Sequence, residues 1–174
     1  FYFTILLLIG TFTSSSQKKS ATITDFGKVF EIQDADLMLE TDKTYQVIFD
    51  VYTDGARKNK PNPSAITVAR YLAMHQKQGI KLKQMKTVLI LHGAATKNAL
   101  SNKTYQKKYG KENPNSSLFA ALKKANVDIF VCGQSLKASG FDKSDLSVNV
   151  QLSLSALTAL VHYQSKGYQL INFN

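Results

Sequence analysis

The chain has 174 residues, 44% hydrophobic and 20% charged, which suits one globular domain with a real core and excludes a disordered chain. Lys and Arg outnumber Asp and Glu by 22 to 12, a net charge of +10. The lysines are scattered (Lys58 and Lys60, Lys81 to Lys86, Lys103 to Lys111, Lys123 and Lys124) and no nucleic-acid motif accompanies them, so a solvated basic surface is expected and no nucleic-acid partner. A single cysteine, Cys132, excludes an intrachain disulfide, CxxC redox chemistry and a cysteine-rich metal site. His75, His92 and His162 show no metal-ligand spacing, so no metal and no cofactor are expected.

The first stretch, Phe1 to Phe12 (FYFTILLLIGTF), is an apolar run of the length of a signal h-region. It is too short to span a bilayer, which takes about 20 residues. Small polar residues from Thr13 to Gln17 offer a cleavage site. Residues 1–17 are therefore expected to be a signal peptide, with the mature chain periplasmic or secreted; a buried strand or helix is the competing reading. Residues 18–44 read as a polar lead-in, with an edge strand expected at Lys28 to Ile32 and a loop from Asp34 to Asp42.

Tyr45 to Tyr52 (YQVIFDVY) is the first strong strand, ended by Thr53-Asp54-Gly55. Asn62 then suits an N-cap with Pro63 at the first helical position. Ile66, Val68, Ala69, Leu72 and Ala73 give that helix an apolar face, and Gly79 suits its stop. Thr87 to Leu91 (TVLIL) is a second buried strand, closed by His92-Gly93. Residues 94–115 are polar and rich in Lys and Asn, either a functional loop or a partly helical excursion. Asn115 or Ser116 can cap a helix running to Ala125.

The next strand is Ile129-Phe130-Val131, whose length and β-branched content suit a buried parallel strand. Cys132-Gly133 ends it, and Ser135 to Gly140 reads as one short helical turn. Val148 to Leu152 suits a fourth strand, Ser153 or Ser155 caps a last helix, and Tyr168 to Phe173 suits a final strand. Strands alternating with helices predict an α/β fold: a three-layer α/β/α sandwich around a mainly parallel sheet of about five strands.

Ligands of open α/β sheets bind at the carboxyl ends of the strands. Three such ends gather the candidates: Asp50 to Gly55, His92-Gly93 and Cys132-Gly133. Cys132 is the candidate nucleophile, because only a thiolate is a good sulfur nucleophile and the free N–H groups of the following turn favour it. His92 is a candidate base or hydrogen-bond partner. Asp50, Asp54, Gly93, Gly133, Gln134 and Ser135 are the candidate binding residues. The bland reading stands beside this: a free cysteine is often simply a small buried hydrophobe. LHGAAT lacks the nucleophile elbow and the phosphate-loop glycines, and GQSLKASG lacks the dinucleotide spacing.

The stretch VDIFVCGQSLKASGF, the following DLSVNVQLSLSALTALVHYQSKGYQLINF, and YQVIFDV with VLILHGAAT resemble the DsrE/DsrF-like proteins, over roughly residues 45–173. The resemblance implies a DsrE-like domain over 45–174 and a three-layer α/β/α sandwich. Members commonly assemble as trimers or hexamers, so a homo-oligomer is implied. In sulfur-relay members the cysteine at the place of Cys132 accepts sulfur as a persulfide and passes it on. With the expected signal peptide, the resemblance thus implies an exported sulfur carrier, or sulfurtransferase, with a sulfur donor or acceptor protein as partner. The reading from another class is a non-catalytic module that binds a small ligand or protein near His92 and 94–115, with Cys132 structural.

Overall fold

A computed structural model describes residues 20–55 and 59–172. The expected signal peptide and Lys58 lie outside the described residues. Five strands form one sheet: β1 (Tyr45–Val51), β2 (Met85–Leu91), β3 (Asp128–Cys132), β4 (Gln151–Ser153) and β5 (Gln169–Asn172). All pairings are parallel, in the order β4-β3-β2-β1-β5. The helices are α1 (Pro63–Lys77), α2 (Asn102–Tyr109), α3 (Ser116–Lys124), α4 (Gly133–Ala138) and α5 (Ala156–Gln164).

The strand alternation divides the core into two layers. Val47, Phe49, Val51, Leu89, Leu91, Ile129 and Val131 pack with Leu72 of α1 and Leu118 and Leu122 of α3 in the larger cluster. Ile48, Val88, Ile90 and Cys132 face the other way, onto Ala156 and Ala159 of α5. Each buried Ile or Leu stabilises the fold by roughly 1.5–3 kcal/mol. α5 crosses this second face because it connects β4 at one edge to β5 at the other. The expected sandwich is thus present, with an all-parallel sheet.

The helix starts follow the local chemistry. Asn62 caps α1, accepting from the N–H of Ser64 at 2.9 Å and of Ala65 at 3.4 Å, with Pro63 first in the helix. Ser155, of the two serines offered, caps α5 by accepting from Thr158 N–H at 2.9 Å. Asn115 precedes α3 but makes no cap bond; its side chain is used elsewhere.

Three expectations need correction. Lys28 to Ile32 form no strand, since only Val29 packs on the core while Phe30 and Ile32 stand exposed. The fourth strand starts at Gln151 rather than Val148, whose side chain is fully solvated. The helix after the cysteine begins at Gly133, not Ser135, which makes Cys132 itself its N-cap. Residues 94–115 are mostly helical: a 3-10 segment over Gly93–Ala99, then α2, closed by Gly110 in the left-handed region at φ 72°.

Those residues are tied down by buried asparagines. Asn113 donates to the carbonyls of Asn98 at 2.7 Å and Leu100 at 2.6 Å. Asn115 donates to Asn98 Oδ1 at 3.2 Å and accepts from the backbone N–H of Asn62 at 2.8 Å. Asn62 in turn donates to the Thr53 carbonyl at 2.6 Å. The network joins the end of β1, the start of α1 and the segment after β2, and so fixes the rim of the sheet's carboxyl edge.

Candidate functional site

Side-chain period and strand register together build the site. Even-numbered positions of β1 and β2 face α5, and so does Cys132 on β3. Leu91 lies beside Val131, which carries His92 one step further to the place beside Cys132. Asp50, beside Ile90 on the next strand, lies on the same face. Three chemically active side chains from three adjacent strand ends thereby converge, although 40 or more residues separate each from the next.

Cys132 is 5% exposed. Its sulfur accepts from the backbone N–H of Ser135 at 3.4 Å. Burial pushes the thiol pKa up, but hydrogen bonds from the Ser135 side chain and from the N–H groups of Ser135, Ala156 and Gln134 together bring it below the ordinary thiol value. The Ser135 hydroxyl also accepts from Gly93 N–H at 3.2 Å. Ala156 opens α5, so the niche draws on two successive helix starts.

His92 Nε2 lies 2.8 Å from Asp50 Oδ1, with both side chains largely buried. The N–H is not aimed along that line, and neither atom has another directed partner. The contact is that of a close ion pair, since charge attraction depends on separation far more than on angle. The close contact with Asp50 raises the His92 pKa; burial lowers it, and the negative charges of Asp50 and Cys132 add to the rise. The Tyr52 ring stands edge-on to the imidazole at 5.2 Å.

Two glycines permit this close assembly. Gly93 has φ 53°, and a Cβ there would meet the Tyr52 ring at 2.3 Å. A Cβ on Gly133 would meet the backbone oxygens of Ser153 at 2.7 Å and Leu154 at 3.0 Å.

The structure therefore unites Cys132, His92, Asp50, Gly93, Gly133 and Ser135. Gln134 lies at the rim, its amide donating to the Leu154 carbonyl at 3.4 Å. Asp54 is engaged elsewhere, pairing with Lys97, whose ammonium lies 5.8 Å from the centre of the Tyr109 ring. Sequence reasoning missed Tyr52, Lys97 and the Ala156 N–H. The alternation Ile48-Asp50-Tyr52 was a usable signal for Tyr52; nothing local marks Ala156 as a neighbour of Cys132. A cleft of about 500 Å³ lined by Thr24, Gly27, Lys28 and Lys77 lies near the end of α1, at the opposite edge of the sheet. Among the described residues no group of three or more His, Cys, Asp or Glu could hold a metal ion, and no helix is long and apolar enough to cross a membrane.

A parallel α/β sandwich with one cysteine in a niche of N–H donors at a strand end defines the class. The chain belongs to the DsrE/DsrF-like family, whose model matches residues 46–173; the family is related in general to sulfur relay. MTH1491, a protein of unknown function from Methanobacterium thermoautotrophicum, shares the fold: 18% identity over 74% of this chain and 99% of that one, with a TM-score of 0.55. The ychN protein from E. coli aligns at 19% identity over 74% and 99%, with a TM-score of 0.48. No curated protein matches the chain.

Proposed function

We propose that the protein carries sulfur as a persulfide on Cys132. The observation that carries this reading is the niche itself: a lone thiol whose sulfur accepts from Ser135 and from the starts of α4 and α5, an arrangement that favours a sulfur anion. With thiosulfate as donor, the Cys132 thiolate attacks the outer sulfur and a new S–S bond forms. The old S–S bond breaks, its electron pair leaving on sulfite, and no proton moves. An acceptor thiolate then attacks the terminal sulfur of the persulfide and releases the Cys132 thiolate. The carrier needs both a donor and an acceptor.

Intact mass after incubation with thiosulfate or polysulfide tests this. The native protein gains one sulfur, reversed by a thiol reductant, and Cys132→Ser gains none. Absence of the adduct on native protein overturns the carrier. The second reading, a binding module with Cys132 structural, draws on the 5% exposure of that residue, and is the one such a result would favour.

We also propose a homo-oligomer built on the outer side of α5 and β4. Leu154, Leu157 and Val161 are exposed there, and no Asp, Glu, Lys or Arg occurs from Leu146 to Ser165. In a chain of net charge +10 this is a surface on which copies can meet without desolvating like charges. Leu157→Asp is expected to convert the assembly to monomer in sedimentation, with the far-UV spectrum unchanged; a monomeric native protein at tens of micromolar would refute the interface. Export of the mature chain is proposed on the sequence of Phe1 to Gln17 alone.

A further inference from the structure

Asp50 and His92 form a pair that the persulfide step does not itself use. Their juxtaposition with Cys132 is specific: His92 occupies the strand end between the other two, and Asp50 lies two strands from the sulfur. Asp50 Oδ1 and His92 Nε2 lie 2.8 Å apart, both buried without another hydrogen-bond partner, so these facing atoms compensate each other. We propose that Asp50 is a positioning residue that keeps His92 as an imidazolium beside Cys132, and that this cation makes the site select anionic sulfur donors over neutral ones. The inference rests on the carrier reading and names its substrate class.

The charges favour this arrangement. By strand order and register His92 lies between the sulfur and the carboxylate, so an anion at the sulfur is nearer the positive group. Titratable groups around His92 are Asp50 and Tyr52 from β1 and its extension, and Cys132 from β3. From α4 comes Ser135, which does not titrate in this range, and α5 places His162 and Tyr163 only in its last turn. In the reaction the same cation lies beside the thiolate, then the bound donor's negative oxygens, then the departing sulfite. It neither gains nor loses a proton.

Two probes of similar size, iodoacetate and iodoacetamide, isolate this selectivity. Both need the Cys132 thiolate, so their rate ratio cancels the thiolate fraction and needs no sulfur transfer. For the native protein the ratio stays high up to a pH above 6.5 and then falls as His92 loses its proton. Asp50→Asn is expected to lower the ratio at least about threefold at pH 7.5 and to regain it at pH 5.5, where a free imidazole is protonated anyway. His92→Gln lowers it at both pH values. A native ratio that is flat across this range, or one equal to that of His92→Gln throughout, overturns the inference, and the native profile decides this even if a variant misfolds. Such a result leaves sulfur uptake on Cys132 untouched, whereas a missing sulfur adduct beside a normal ratio would refute the carrier instead.

Discussion

Replacing Gly133 with alanine is expected to lower both stability and thiol reactivity, because its new Cβ would lie 2.7 Å and 3.0 Å from two backbone carbonyl oxygens, not from a side chain that can swing aside. Overpacking of this kind costs typically about 1–3 kcal/mol. The short edge strand β4 is the part that yields, since its three residues pair only with β3. Ser153 and Leu154 lead directly into α5, so their displacement draws the Ala156 N–H away from Cys132. The thiol then loses one of the hydrogen bonds that offset its burial, and its pKa moves up. Alkylation of folded Gly133→Ala at pH 7 is expected to be slower than that of the native protein. Gly140→Ala is the contrast: φ is 75°, nothing lies within 4 Å, and only backbone strain results. It should cost some stability and leave alkylation at the native rate. Equal thiol reactivity in both variants would remove the α5 start from the account of the niche.

Asn115→Ala is expected to be the most destabilising change at the rim. Asn115 is 1% exposed, and its loss would leave the Asn62 N–H and the Asn98 Oδ1 without their partners. Two buried polar groups left unpaired at roughly 1–3 kcal/mol each give about 2–6 kcal/mol. In a domain of this size that corresponds to a Tm drop on the order of 5–25 °C. Asn98 Nδ2 already lacks a partner, so the network has little slack to absorb the loss. Urea unfolding would show a lower midpoint at unchanged slope. A midpoint within error of the native one would mean that water replaces the asparagine side chain.

These two positions also show what a sequence discloses. The strands are legible because continuous apolar runs such as VLIL and IFV, buried on both faces, have few alternatives in an α/β chain. The cysteine at the end of β3 and the histidine at the end of β2 are legible for the same reason. The pairing of His92 with Asp50, and the place of His92 beside Cys132, depend on register between strands distant in sequence, which no local pattern encodes. The asparagines from Asn98 to Asn115 misled in the opposite direction. Asn composition reads as solvated loop, yet here Asn98, Asn113 and Asn115 are buried, and the last two satisfy backbone groups that would otherwise be left unpaired. The stretch from Val148 to Leu152 reads as strand, yet the strand is confined to Gln151–Ser153 and Val148 is exposed.

Cys132, though nearly buried, is expected to be a reactive thiol of lowered pKa. The direct measurement is the rate of its modification by iodoacetamide against pH, in the folded protein and again in the urea-unfolded chain. Thiolate forms as pH rises through the pKa, so a lowered folded-state pKa places the folded midpoint at lower pH than the unfolded one. The account predicts that order, with complete modification of the folded protein. Modification only on unfolding, or a folded midpoint above the unfolded one, would contradict it and leave Cys132 as a packing residue.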